Sequence, residues 1–417
     1  MIRAELIVRD LAEVATLARG PVPRVGEAMR DLATVANGAV AIDRGRIVWV
    51  GPERRLDGAV RLRSDGRTVR GQGGVAVPGF VDPHTHVLFA GDRAHELPLK
   101  AAGLSYSEIA RRGGGLLATV RATRRASDDR LLRETEARLR AMAAAGTTTV
   151  EVKSGYALDH VGELRLLRLI PLLARRTGLR LVPTFLGAHA VPPAFDGRPD
   201  AYVNAIVRRT LPEVARDRLA RFCDVFCEPG FFSVPQSERI LLAARELGLG
   251  LKVHADEFVA SGGARLAARL RATSADHLLA TPAGDRRRLA AAGVTAVVLP
   301  LTAFTSSPER RSPARELVDA GVAVALGTDC SPNTWVEAVP AVLTAAVHAG
   351  RLAPAEALTA ATVNAAHAVG LADAGTIAVG RPADVGIFPV PAASSLGYRF
   401  DVRPRVVLRQ GKPVSSP

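Results

Sequence analysis

His84 and His86 stand one residue apart in VPGFVDPHTH (residues 77–86), directly after a short apolar run broken by Pro-Gly. In extended backbone, residues i and i+2 point to the same side, so a His-x-His at a strand end aims two imidazoles at one point. Imidazole is a common ligand for Zn²⁺ and iron. Taken alone, the pair fits a polar surface loop equally well. Three further apolar runs decide between the two. LGLKVHADEF (249–258) brings His254 with Glu257 three residues on, ATSADH (272–277) ends in His277, and VAVALGTD (322–329) ends in Asp329. Three histidines with one aspartate form a nitrogen and oxygen donor set suited to Zn²⁺ or Fe²⁺, with room left for water. Such an ion lowers the pKa of bound water from about 15.7 towards about 7, which makes hydroxide available at neutral pH. The chemistry these residues point to is metal-assisted hydrolysis.

Donors so scattered along the chain need a scaffold that returns every strand end to one place. Between Pro78 and Ala374, strand-like runs alternate with helix-like ones: GFVDPH, TTTVEV, LRLVPTF, FCDVF, LGLKVH, ATSADH, VTAVVLP and VAVALGTD. Each is short, apolar or β-branched and followed by a polar turn, as for strands buried on both faces. The clearest helix begins after Ser127, an N-cap followed by Asp128 and Asp129. It places Leu131, Leu132, Thr135, Leu139 and Met142 on one face and stops before Gly146. Eight strands, each followed by a helix, predict an α/β fold: a (β/α)8 TIM-like barrel over residues 78–374, with its site at the C-terminal ends of the strands. The flanks read differently. GAVAIDRGRIVWVG gives two short strands around Asp43-Arg44-Gly45-Arg46, while GTIAVGRPADVGIF and PRVVLRQGKPV in the tail again read strand-turn-strand. Neither end buries a core alone, so residues 1–77 plus 375–417 are expected to form one small composite β-sandwich domain.

The 417 residues carry a net charge of +14, which raises the question of nucleic acid. Nearly all the basic residues are arginine, mixed along helices with Asp and Glu, and aromatics are only 4%, with no aromatic-basic interleaving for stacking on bases. A solvated surface with some attraction for a small anionic substrate is the better reading, and no nucleic-acid partner is expected. No apolar run approaches the roughly 20 residues of a bilayer span. The stretch MIRAELIVRDLAEVATL is broken by charges and lacks a small-residue cleavage site. A cytoplasmic protein without a membrane partner is therefore expected. Cys223, Cys227 and Cys330 are too few and scattered for a disulfide framework and read as buried, inert thiols.

The stretches VDPHTHVLFAGDRAHE, GGGLLATVRATR, TTTVEVKSGYALD, FLGAHA, VFCEPGFFS, KVHADEF, SADHL and VNAAHAVG together carry a resemblance. From about Val40 to Lys412 the chain resembles the imidazolonepropionase family of the amidohydrolase superfamily. That resemblance implies hydrolysis of the cyclic amide of 4-imidazolone-5-propanoate to N-formimidoyl-L-glutamate, in histidine degradation. It implies one divalent metal per chain, Zn²⁺ or Fe²⁺, held by His84, His86, His254 and Asp329, and a homodimer. It places Arg93, Tyr156, His189 and Glu257 at substrate-binding positions, with Tyr106 as a further candidate, and makes His277 the catalytic histidine. The chemistry suits these roles. A guanidinium beside a phenol matches a carboxylate or carbonyl oxygen. Hydrolysis needs a base for water, which Asp329 or His277 can supply, and an acid for the leaving ring nitrogen, which Glu257 can supply.

One loop departs from the family pattern. After Asp329 the family reads Asn-Pro-Gly-Ser or Asn-Pro-Gly-Thr, whereas this chain reads Ser331-Pro332-Asn333-Thr334. Ser331 lacks an amide that could contact substrate, while Asn333 and Thr334 keep candidate substrate contacts through the backbone. Of the other histidines, His95 and His160 read as surface residues and His348 and His367 as packing residues in Ala-rich helices. Lys153 ends the second strand, not the fourth, where binuclear relatives carry a bridging lysine. The fourth ends in Glu228, a bridging group in principle, but one metal is the favoured count. Two other readings remain. One is a cytosine- or guanine-type deaminase of the same superfamily, which shares the His254-x-x-Glu257 spacing. The other is a metal-binding protein without turnover.

Overall fold

In this computed structural model, residues 1–104, 106–306 and 311–414 are described, apart from the side chains of Tyr106 and Ser107. Eight parallel strands follow one another in chain order around one sheet: Phe80–Asp82, Thr147–Lys153, Arg180–Ala188, Phe222–Cys227, Gly250–Ala255, Ser274–His277, Thr295–Val298 and Val324–Leu326. Helices pack between them, among them Asp128–Ala144, His160–Thr177 and Val234–Glu246. The expected (β/α)8 barrel is present. Ser127 caps its helix by accepting from Arg130 N, and the five apolar-face residues named above are buried. Every residue of the second strand is buried, as in a strand covered on both faces, and its two charged residues, Glu151 and Lys153, are buried as a pair 2.8 Å apart.

The barrel closes just beyond the ends of its first and last strands, not along them. Thr85 and Cys330 form a parallel bridge, Asp329 N donates to His84 O at 3.0 Å, and His86 N donates to Cys330 O at 3.0 Å. Below this, Asp82 accepts from Thr328 Oγ1 at 2.6 Å and from Thr328 N at 3.1 Å. The seam is built from the very segments that carry the candidate donors.

A second eight-stranded sheet draws on both ends of the chain. Its long central pair, Ile2–Ala15 and Val60–Pro78, runs parallel with bulges, and Val385–Phe388 and Val406–Arg409 extend it from the tail. Gly38–Asp43 and Arg46–Pro52 form the expected hairpin, turned at Arg44 and Gly45, both with positive φ. Gln410 and Gly411 turn the tail hairpin in the same way. Alternation along the strands gives this sheet apolar residues on both faces: Leu6, Val8, Val40 and Ile42 belong to one cluster, Ile7, Ala39 and Ala41 to another. The GTIAV segment differs from expectation. It forms no strand, because Ile377 is drawn into the sheet's core while its N–H donates to Thr16 O. The central strand then passes through Gly79 directly into the barrel. A Cβ at Gly79 would stand 2.3 Å from the Thr148 side chain, so the junction requires glycine.

Candidate active site

All four histidines and the aspartate meet at the C-terminal mouth, each buried. His84 Nδ1 lies 2.6 Å from Asp276 Oδ2, and His254 Nδ1 lies 3.1 Å from Asp224 Oδ2, the latter off the line of a hydrogen bond. Both contacts leave Nε2 to face the centre. There His86 Nε2 and His254 Nε2 are 3.2 Å apart, and Asp329 Oδ1 is 3.6 Å from His84 Nε2 and 3.5 Å from His86 Nε2. Donors around one ion at about 2.0–2.2 Å stand roughly 3.3–3.6 Å from each other when tetrahedrally spaced. His84 Nε2 is buried with no hydrogen-bond partner among the described residues, a costly state for a polar atom unless something else occupies the centre. The residues fit a divalent ion.

His277 is equally close. The donor atoms of His84, His254 and His277 lie within 4.8 Å of one another, as do those of His84, His86 and Asp329. His277 (φ 72°) and Asp329 (φ 51°) both hold left-handed backbone, where a side chain is strained, and both sit at strand ends facing the centre. Thr302 Oγ1 donates to Asp329 Oδ2 at 2.8 Å and fixes the carboxylate's second oxygen. Beside His277, Glu257 Oε2 is 3.6 Å from its Nδ1.

Burial separates these groups electrostatically. It pushes Glu257 well above the usual carboxylate range, helped by the charges of Asp329 and Glu228, and raises Asp329 to about 6 against the Thr302 hydrogen bond. Burial, reinforced by His254, holds His277 well below the ordinary histidine value. Burial that favours the acid form of a carboxyl beside an imidazole it favours as neutral is the environment of an acid-base pair.

The cleft above these groups takes in about 490 Å³, part of it open to solvent, and is lined by further expected residues: Arg93, Tyr156, His189, Ser331 and Asn333. Arg93 is buried and forks onto Glu96, with Nε to Oε1 at 2.9 Å and Nη2 to Oε2 at 2.7 Å. Asn333 Oδ1 accepts from Lys100 Nζ at 2.9 Å, so a second cation stands near Arg93. His189 Nδ1 lies 3.0 Å from Gly155 O, which sets the proton on Nδ1. Burial lowers His189 to about 3, so it stands in the cleft as a neutral hydrogen-bonding group, not as a cation. Thr334 is not among the lining residues. Its N–H donates to Ser331 Oγ at 3.2 Å and its hydroxyl meets Thr305 Oγ1 at 3.0 Å, so it shapes the loop. The Tyr106 side chain lies outside the described residues.

Residues beneath the donors support them in ways the sequence did not signal. Asp224 and Asp276 orient His254 and His84, and buried Lys153 links them, 2.8 Å from Asp224 Oδ2 and 3.8 Å from Asp276 Oδ2. Burial opposes the Lys153 charge, but Asp224 and Glu151 outweigh it and keep the ammonium. Charged residues inside otherwise apolar strands were the available clue, since such charges are buried only with partners. Glu228 does not face the centre. It accepts from the N–H groups of Glu257, Phe258 and Val259 and so fixes the loop bearing Glu257. His95 is exposed as expected. His160 instead is half-buried, 3.3 Å from Glu213, and His348 is exposed against Phe400 instead of packed inside its helix bundle.

Barrel, mouth and a donor set able to hold a metal define a hydrolase architecture, and the family comparison agrees. Residues 75–414 match the amidohydrolase family model, and the chain belongs to the amidohydrolase family. Within that family it is similar to an imidazolonepropionase of Symbiobacterium thermophilum, 47% identical over 420 residues covering 98% of each chain. It is also similar to one of Syntrophobacter fumaroxidans, 45% identical over 94% of this chain and 93% of that one. Among solved structures, an adenosine deaminase from Xanthomonas campestris with bound zinc shares the fold, with a TM-score of 0.70 at 21% identity, over 99% of this chain and 93% of that one.

Proposed function

We propose that this chain is an imidazolonepropionase, hydrolysing the cyclic amide of 4-imidazolone-5-propanoate to N-formimidoyl-L-glutamate. One observation carries the reading: Arg93, Tyr156 and His189 line the same cleft as the donor cluster, in a chain 47% identical over 98% of its length to an imidazolonepropionase. The guanidinium, already oriented by Glu96, offers N–H groups to an oxygen of the anionic substrate, while neutral His189 adds a hydrogen bond without a charge.

His84, His86, His254 and Asp329 would hold one divalent ion, Zn²⁺ or Fe²⁺, which when bound supplies Lewis-acid activation of water and carbonyl. In hydrolysis a C–O bond forms at the ring carbonyl and the C–N bond breaks. Neutral His277 takes a proton from the attacking water, with Asp329 as the other base in reach. Protonated Glu257 gives one to the departing ring nitrogen at a position 3.6 Å from His277 Nδ1. The resemblance also implies a homodimer, while a cytoplasmic location without nucleic-acid or membrane partners rests on composition and hydropathy. Among the described residues no helix is long and apolar enough to cross a membrane.

Incubating purified protein with 4-imidazolone-5-propanoate and assaying N-formimidoyl-L-glutamate tests the activity. Product formation is expected. Turnover confined to aminated heterocycles, with ammonia released, would replace this reading by the deaminase one.

A further inference from the structure

The segment joining the second barrel strand to helix His160–Thr177 carries Tyr156 into the cleft, and it does so in an unfavourable conformation. Gly155 has φ 98° and Leu158 has φ 55°, and a Cβ on Gly155 would meet Leu186 O at 2.9 Å and His189 Nδ1 at 3.0 Å. Gly155 adopts this backbone freely, but left-handed Leu158 is strained, so the segment needs something to hold it. The holder is one carboxylate. Glu163, buried in the first turns of the helix, accepts from Gly155 N at 2.8 Å through Oε2, and from Ala157 N at 3.0 Å and Leu158 N at 2.8 Å through Oε1. These three amides bracket Tyr156. Gly155 O in turn receives the Nδ1 proton of His189, whose ring stacks on His86 with centroids 4.8 Å apart.

We infer that Glu163 is a positioning residue for the reaction, fixing Tyr156 through the amides on either side of it and His189 through Gly155, without touching the substrate. Resting on the function proposed above, this assigns a specificity role to a residue outside the cleft. A carboxylate accepting several backbone N–H groups is a strong, directional clamp. Glutamine in its place keeps one acceptor oxygen and turns an NH₂ donor towards backbone donors, so at least one amide loses its partner. Displacement of an orienting group by about 1 Å costs on the order of 10²-fold in catalysis, which bounds the effect.

The test is a double-mutant cycle with Glu163→Gln and Tyr156→Ala, read as separate kcat and KM values for 4-imidazolone-5-propanoate, together with amide hydrogen exchange and metal content. Glu163→Gln is expected to raise KM by about tenfold or more with metal content at the parent level. Tyr156→Ala should then cost far less in the Glu163→Gln background than in the parent, because both act through one group. Exchange at Ala157 and Leu158 should speed up while the strand Thr147–Lys153 keeps its protection. Additive losses, a null effect of Tyr156→Ala in the parent, or unchanged exchange would each overturn the inference. If Glu163→Gln fails to fold, Glu163→Asp, one methylene short of the three amides, is measured instead. A parent inactive on this substrate would refute the proposed function, while the exchange data still decide whether Glu163 holds the loop.

Discussion

At the scale of single residues, metal binding and proton transfer are expected to separate. His254→Ala removes a donor from the centre and should abolish metal retention, measured by elemental analysis. His277→Phe should keep the metal and lower kcat by roughly 10² to 10⁴, the usual worth of an acid-base group. Metal loss in His277→Phe equal to that in His254→Ala would make His277 a ligand, an option its place in the cluster with His84 and His254 gives real content. Glu257 predicts a pH dependence with a definite sign. Its pKa is raised, so the acid form dominates below that value and activity falls as the pH rises through it. Glu257→Gln should remove the basic limb along with most of the rate, and a parent profile that stays flat on the alkaline side would count against Glu257 as the acid. Arg93→Lys keeps the charge but cannot fork onto Glu96 through two parallel bonds, so kcat/KM should fall despite the conservative look.

At the scale of elements, the strands deliver two layers at once: donors at or just beyond their C-terminal ends and carboxylates beneath them. Asp224 lies mid-strand beneath His254, and Asp276 directly precedes His277. Asp224→Asn should lower metal affinity by about 10- to 100-fold, read by competition with a chelator, because an amide orients His254 less firmly than a carboxylate paired with Lys153. Unchanged affinity would reduce Asp224 to a packing role. The donor layer was legible in the sequence because His84, His86, His254, His277 and Asp329 each follow an apolar run, and chance rarely ends so many strands in metal-binding side chains. The layer beneath was not. Whether Asp224 meets a histidine depends on lateral register, with Lys252 opposite Asp224 and His254 opposite Phe226, and register across a parallel barrel is set by packing and not by local pattern. Loop clamps such as Glu228 were hidden for a related reason. Their partners are backbone amides, which carry no residue identity.

At the scale of the whole molecule, the chain leaves the barrel for the small sheet past a specific contact. Arg180, which opens the third barrel strand, forks onto Asp373 at 2.6 and 3.0 Å, just where the chain turns back towards the sheet. The Arg180 hydrogen bond holds Asp373 below its usual value. A depressed carboxylate stabilises the fold at neutral pH and loses that contribution as the pH falls through its folded pKa. Arg180→Ala should therefore lower Tm at pH 7, with the gap to the parent closing only in acid, below the ordinary range of an aspartate. A gap independent of pH would assign the loss to packing.

The seam of the barrel sets an order in time. Asp82 and Thr328, which latch it, are 246 residues apart, so a chain emerging from the ribosome carries its first two histidines long before the strand that must close against them. No ion can be captured in its finished geometry until the eighth strand docks, and binding therefore rewards completion of the barrel without guiding its early stages. In chelated protein, the first amides to open should be those at residues 84–86 and 328–330.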